Sequence, residues 1–263
     1  MASSHTKLDR RDIPWLALIA ASFAGGLAFS WQRWGNPLVD CGREMNQPLR
    51  LIHGEMLYSS IRHIYGPLSP YINATLYRVF GASLGTLYAD GIISALVIVL
   101  LVYWLSRHLM GRLGAAAASL SVTWLCTFKQ AGNYILPYAY SALHGCLLGL
   151  ITLALLVRFA ELRKKRYLFA AGVAAGITIL AKTEMGAAAC ITGIAATLLV
   201  AFPSFGKTVS LGTLFVVPAG AIPLAVYGWI ARIVGVTTLS HDSFLLPSYI
   251  PEEFIYFNKR MSG

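Results

Sequence analysis

Charged residues are scarce in this chain. Only 12% of its 263 residues are Asp, Glu, Lys or Arg, whereas about a quarter is usual in a soluble domain. Hydrophobic residues make up 57% and are concentrated in long runs. This composition excludes an ordinary soluble globular domain and predicts a polytopic membrane protein.

Acidic residues are scarcer still, with 11 Asp and Glu against 21 Lys and Arg. The resulting formal charge of +10 does not indicate a nucleic-acid partner. Basic residues of membrane proteins collect at cytoplasmic helix ends, where they set orientation and meet anionic lipids. We therefore expect the lipid bilayer, and no nucleic acid, as a partner.

Cysteine is also rare. The four cysteines form no CxxC pair and stand near no histidine cluster at zinc spacing. This pattern argues against a disulfide framework and against a structural zinc site, and it leaves the cysteines as small apolar residues.

The apolar runs predict an all-α bundle of about seven transmembrane helices, since a span needs about 20 mostly apolar residues. The third and fifth runs are short. The predicted spans are Ile13–Trp31, Leu87–Leu105, Leu113–Phe128, Ser141–Phe159, Tyr167–Ala181, Gly186–Phe202 and Val209–Val234.

Basic residues mark alternate links between these spans, which predicts that those links face the cytoplasm. The N-terminus is then cytoplasmic, and residues 32–86 form a large first outer loop. Residues 237–263 begin a further outer segment. The marking residues are Lys7, Arg10, Arg11, Arg107, Arg112, Arg163, Lys164, Lys165, Arg166 and Lys207.

The first outer loop concentrates charge that the rest of the chain avoids. After Asp40, the apolar residues Met45, Leu49, Ile52 and Met56 recur at helical spacing, which predicts an amphipathic helix on the membrane surface. The stretch YGPLSP then predicts a turn, and Tyr71 to Phe80 a second short interfacial helix.

Asp40 and Glu44 stand four residues apart, so both side chains leave roughly one face of the predicted helix. One interpretation makes Asp40 an N-cap and Glu44 a first-turn acid favoured by the helix dipole. The other makes them a catalytic carboxylate with an acidic neighbour at the membrane surface. Spacing leaves both open.

The loop resembles the first outer loop of the GT-C glycosyltransferases, especially bacterial enzymes akin to protein mannosyltransferases. The large first loop followed by further spans resembles the shared membrane module of these enzymes, so residues 1–263 are expected to form one such module. The matching residues are Asp40, Gly42, Glu44, Gly54, Tyr58, Tyr65, Gly66, Pro67, Leu68, Tyr71, Phe80 and Gly81.

The resemblance implies an inverting glycosyltransferase that uses a polyprenyl-phosphate sugar and a lipid, glycan or protein acceptor. Asp40 would be the general base, and Glu44 would assist it or share a divalent metal with it, such as Mg or Mn. Tyr58, Tyr65 and Glu184 would contact substrate. The candidate phosphate ligands are Arg43, Arg50, His53, Arg62, His63 and Lys182.

Two other functions remain open from the sequence. A transporter or flippase for a lipid-linked sugar should hide ionisable residues in mid-membrane, whereas the charges here cluster at one surface. A non-catalytic subunit retaining the module fits the short chain, because enzymes of this kind are usually longer. The expected location is the bacterial inner (plasma) membrane.

Overall fold

The computed structural model describes residues 8–34, 40–129 and 132–244, and only the backbone of Asp40 and residues 241–244. This part of the chain is helical, with α-helices at α1 Ile13–Ser30, α2 Asp40–Ile52, α3 Leu68–Phe80, α4 Leu84–Ser106, α5 Arg112–Val122, α6 Tyr140–Leu162, α7 Lys165–Ala181, α8 Thr183–Ala201, α9 Phe205–Val234 and α10 Val236–Phe244. Most of the predicted outer segment 237–263 lies outside the described residues.

All seven predicted runs are helical, and five are long and apolar enough to cross a membrane: Arg10–Ser30, Leu84–Ser106, Tyr140–Leu162, Thr183–Ala201 and Phe205–Val234. The two shorter helices are α5, which a π-helical turn at Thr123–Thr127 extends, and α7 with 17 residues. At about 1.5 Å per residue, α7 is roughly 26 Å long, slightly less than a bilayer core. The predicted class, an all-α polytopic membrane protein, is confirmed.

Helices α7 and α9 run parallel in close backbone contact. A Cβ at Gly172 would overlap the carbonyl oxygen of Phe215, and a Cβ at Gly176 would lie 3.0 Å from that of Ala219. The missing side chains let the two backbones approach, as small residues do in membrane bundles. Gly172 and Gly176 thus allow the close packing of α7 on α9.

A buried charged cluster joins α1, α4 and α5 at one end of the bundle. Asp12, which is fully buried, accepts hydrogen bonds from Tyr103 at 2.7 Å and Arg107 at 2.8 Å through Oδ1. Its Oδ2 accepts the backbone N–H of Asp9 at 2.9 Å. Arg112 adds a salt bridge to Asp9 at 2.6 Å. We call these residues the Asp12 cluster.

The basic links gather at the same end. His108, just after α4, lies 3.2 Å from Glu161 near the end of α6. A cavity there is lined by Arg163, Lys165 and Lys207, which places the end of α6 beside the starts of α7 and α9. The predicted grouping of alternate links therefore agrees with these contacts. That this end faces the cytoplasm stays a prediction.

Helix α2 forms where the sequence predicts a helix, but it turns a different face inward. Its buried residues are Cys41, Glu44, Gln47, Pro48 and Leu51, while Leu49 stays exposed. Of the residues predicted to face the membrane, Met45 and Ile52 are partly buried against the bundle core, and Met56 lies beyond the helix end. Hydrogen bonds to Glu44 and Gln47 make it possible to bury these polar side chains.

The second loop helix starts earlier than predicted. Helix α3 begins at Leu68 rather than Tyr71, with Pro67 at its N-cap. Pro67 and Pro70 do not prevent this, because the first helical turn needs no N–H donors. Tyr77, which belongs to the predicted interfacial helix, is buried in the bundle core.

Candidate functional site

Glu44 ties α2 to the start of α6 at the end opposite the Asp12 cluster. Its side chain is 4% exposed, and Oε2 accepts the backbone N–H of Tyr140 at 3.0 Å. Oε1 accepts from the Arg43 guanidinium at 3.2 Å, and Arg43 also donates to the carbonyl of Tyr138 at 3.1 Å. Burial raises the pKa of Glu44 above its usual value, although the amide and Arg43 oppose this shift.

The ring of Tyr65 brings two cations together. The Arg43 guanidinium lies 5.8 Å from the ring centroid, and the Lys182 ammonium lies 5.1 Å from it. Arg43 comes from α2, Tyr65 from the loop and Lys182 from the link between α7 and α8. Two cations around one aromatic ring can bind an anion such as a phosphate. Of the predicted phosphate ligands, these two converge.

The turn that carries Tyr65 is packed directly on α7. A Cβ at Gly66 would overlap the carbonyl oxygen of Leu180, so only glycine allows this approach. The hydroxyl of Tyr58 donates to the Tyr65 carbonyl at 2.5 Å, and Nε2 of His63 lies 3.2 Å from the Gly66 carbonyl. Both side chains are buried. Burial lowers the pKa of His63 to about 4, which keeps the imidazole neutral at pH 7.

An apolar groove begins at the same turn. Its volume is about 530 Å³, and it runs between the start of α3, the end of α7 and α9. Pro67 and Leu68 follow Tyr65 in the chain, and Leu180 precedes Lys182 by two residues. The residues that carry the cations are thus close in the chain to the walls of this groove, which Tyr71, Trp229 and Ile230 also line.

A buried hydrogen-bond chain, here called the His144 chain, connects three helices behind the site. Nδ1 of His144 on α6 lies 2.9 Å from the hydroxyl of Ser69 on α3, and Nε2 lies 3.1 Å from Asp90 on α4. His144 is one helical turn from Tyr140, whose amide binds Glu44. Ser69 is fully buried, so this Ser–His–Asp arrangement cannot present a nucleophile to a substrate.

The sequence does not place the His144 chain at the site, because its members are far apart in the chain. The sequence does contain one signal for it. Asp90 and His144 are ionisable residues inside predicted membrane spans, and such residues are functional candidates by default.

Other predicted ligands lie apart from the two cations. Arg50 donates to Glu55 at 2.9 Å and to the carbonyl of Ser60 at 2.8 Å. This pairing lowers the pKa of Glu55. His53, Arg62 and Glu184 are exposed, and the Arg62 carbonyl accepts a hydrogen bond from Gln47 at 3.2 Å.

Asp40 is the first residue of α2, one turn before Glu44. Its side chain lies outside the described part of the structure. Among the residues that are described, no group of three or more His, Cys, Asp and Glu side chains could hold a metal ion. Both oxygens of Glu44 already accept protein hydrogen bonds, so a cation there would have to compete with Arg43.

Residues 65–229 match the family model described as dolichyl-phosphate-mannose-protein mannosyltransferase, which covers more than half of the chain. The match takes in Tyr65, the His144 chain, Lys182 and most of the apolar groove, and it begins after Asp40 and Glu44. No curated protein and no solved structure is significantly similar to the chain.

Proposed function

Because the chain belongs to the dolichyl-phosphate-mannose-protein mannosyltransferase family of membrane glycosyltransferases, we propose that it moves a sugar from a polyprenyl-phosphate donor to an acceptor hydroxyl. The observation that carries this proposal is the meeting of a cation pair and an apolar groove at one turn. A lipid-linked phosphate has the same two parts, a charged head and an apolar tail.

In this proposal, Arg43 and Lys182 bind the donor phosphate beside Tyr65. Their charge also stabilises the phosphate when it leaves with the electron pair of the broken bond. The isoprenoid units next to the phosphate lie in the groove formed by α3, α7 and α9. Tyr65 contacts the donor through its ring, which lies beside both cations.

The acceptor oxygen attacks the anomeric carbon as the bond from that carbon to the phosphate oxygen breaks. Attack opposite the leaving phosphate inverts the anomeric centre. Asp40 takes the acceptor proton as general base. Glu44 holds the start of α6 and the side chain of Arg43, so its role is to position the cation rather than to accept the proton.

The other predicted residues take different parts. Tyr58 and His63 support the turn from within. Arg50, His53 and Arg62 lie in the same loop as Arg43, and Glu184 follows Lys182 by two residues; in this proposal they meet the sugar or the acceptor. No step is assigned to a divalent metal, since Glu44 is already engaged by protein donors.

The site is proposed to face the outside of a bacterial plasma membrane, with the basic links in the cytoplasm. The acceptor, whether lipid, glycan or protein, would approach from the aqueous side, while the donor tail stays in the bilayer.

Replacing Asp40 tests the general base. We expect Asp40→Asn to lower turnover by roughly two to four powers of ten, the range for losing general-base assistance. Folding should persist, because Asn caps helices as well as Asp does. The measurement is release of polyprenyl phosphate from polyprenyl-phosphate mannose by protein in detergent, with lipids, glycans and proteins of the native membrane offered as acceptors.

Asp9→Asn is the matched control. Asp9 is an aspartate N-cap at the opposite end of the bundle. Turnover should be unchanged in that variant. Near-normal turnover of Asp40→Asn, with a loss of stability only in Asp40→Ala, would make Asp40 a structural cap and remove the proposed base.

A further inference from the structure

A second cavity lies at the end of the bundle opposite the candidate site. Its volume is about 490 Å³, and it is enclosed by the end of α6, the start of α7, the end of α8 and the start of α9. Phe159, Val200 and Leu211 supply apolar walls, and Arg163, Lys165 and Lys207 stand around it. Nothing in the proposed transfer reaction uses this cavity.

The three cations have no acidic partners among the residues that the structure describes. The ion pairs found in residues 8–34, 40–129 and 132–244 include none of Arg163, Lys165 and Lys207. The acid nearest in sequence, Glu161, is held by Arg158 and His108, both at 3.2 Å. The charge around the cavity is therefore positive and uncompensated.

The backbone adds to this positive charge. Helices α7 and α9 run parallel, since Gly172 packs on Phe215 and Gly176 packs on Ala219. Their N-termini, which begin at Lys165 and Phe205, therefore lie at the same end beside the cavity. The N–H groups of a first helical turn lack helical partners and carry partial positive charge.

Exposed apolar side chains flank the lining residues Val200 and Gly206 in the chain. Phe202 lies in the link between α8 and α9 and is 83% exposed. Phe205 begins α9 and is 82% exposed, and Leu199 near the end of α8 is also 82% exposed. Large apolar side chains remain this exposed on a membrane protein where acyl chains cover them. A soluble anion would meet the charges but would leave these apolar surfaces without a partner.

We propose that this cavity binds an anionic phospholipid, with the headgroup phosphate among Arg163, Lys165 and Lys207 and the acyl chains along Phe202 and Phe205. Basic pockets between membrane helices are suited to such headgroups. The 23 residues of α6 separate the cavity from the Glu44 contact, which is about 34 Å at 1.5 Å per residue. The proposal is therefore independent of the transferase reaction.

Native mass spectrometry of the purified full chain tests the proposal. The protein is titrated with phosphatidylglycerol and, separately, with phosphatidylcholine. We expect the first phosphatidylglycerol to bind more tightly than phosphatidylcholine. The double variant Lys165→Ala, Lys207→Ala should weaken that binding about tenfold or more. Ser210→Phe, which fills the cavity mouth without changing charge, should weaken it as well.

Lys164→Ala with Arg166→Ala is the matched control, because it removes the same amount of charge from residues on either side of Lys165 that are outside the cavity lining. Its affinity should stay near that of the unaltered protein. An equal loss in both double variants would overturn the proposal in favour of diffuse attraction. Equal binding of the two lipids would also overturn it, as would displacement of phosphatidylglycerol by millimolar inorganic phosphate.

Discussion

Helix α4 carries a buried charged group near each of its ends. At its C-terminal end Arg107 meets Asp12, and near its N-terminal end Asp90 meets His144. Asp12 has hydrogen-bond donors on both oxygens, and two arginines face it. The other end combines the carboxylates of Asp90 and Glu44 with Arg43 and a histidine. The first cluster is closed by arginines on its carboxylates, whereas the ion pair of Asp90 in the second is with a histidine.

This difference separates structural charge from charge available for chemistry. A buried ion pair with every partner in place resists substitution but offers nothing to a ligand. At the candidate site, burial raises the pKa of Glu44, and the cations around Tyr65 remain near a groove that a ligand can enter. Perturbed acids beside a cavity are typical of functional sites.

The largest expected effect tests whether the Asp12 cluster is closed. Arg107→Met leaves Asp12 buried without its main cation, which should lower the free energy of unfolding by about 3–5 kcal/mol. The double variant Asp12→Leu, Arg107→Met should recover most of this loss, because an apolar pair can replace a buried ion pair. Equilibrium unfolding in mixed micelles measures both. A loss below about 1 kcal/mol in the single variant would place this pair with weak surface salt bridges.

The next effect concerns His63, which lies buried at the site end with a pKa of about 4. Between the ordinary histidine pKa near 6.5 and this value, the unfolded chain takes up a proton that the folded chain refuses. The stability that His63 contributes is thus full above about pH 6.5 and is lost as the pH falls to 4, by about 3 kcal/mol.

The difference in unfolding free energy between the unaltered protein and His63→Gln isolates this contribution. It should shrink by about that amount from pH 7 to pH 4. His53→Gln, which removes an exposed imidazole from the same loop, is the control for the substitution itself. A constant difference for His63→Gln would mean that the turn is open to water.

The smallest expected effect separates the cations within the site. Lys182→Ala should weaken binding of polyprenyl phosphate by roughly tenfold to a hundredfold, as expected for one charge-assisted contact. Arg50→Ala should change it less, because Arg50 is already engaged by Glu55 and Ser60. Competition against a fluorescent polyprenyl phosphate gives both affinities. Equal losses of affinity in the two variants would show that the cations attract the phosphate by their overall charge rather than by specific contacts.

Much of the fold follows from the sequence because apolar run length and basic links are local signals. The helical runs, the helix beginning at Asp40 and the grouping of basic links all agree with the structure. The inward face of α2 does not follow. Periodicity selects Met45, Leu49 and Ile52 as the face toward the membrane, but it cannot foresee that the Tyr140 amide makes burial of Glu44 favourable.

The same limit applies to the site. Sequence reasoning selects Arg43 and Lys182 as cations but gives them no priority over Arg50 or His63. The distinction depends on contacts made through Tyr65 and on the burial of His63, which no spacing reveals. The His144 chain likewise depends on three helices meeting.

Gly66 has a consequence that concerns distance rather than charge. The turn packs against the Leu180 carbonyl at this glycine, and this contact limits how closely the turn can approach α7. A methyl group added at residue 66 would push the turn away from α7 and move the Tyr65 ring away from the Lys182 ammonium. The distance between the Tyr65 ring and the Lys182 ammonium therefore depends on residue 66 having no side chain.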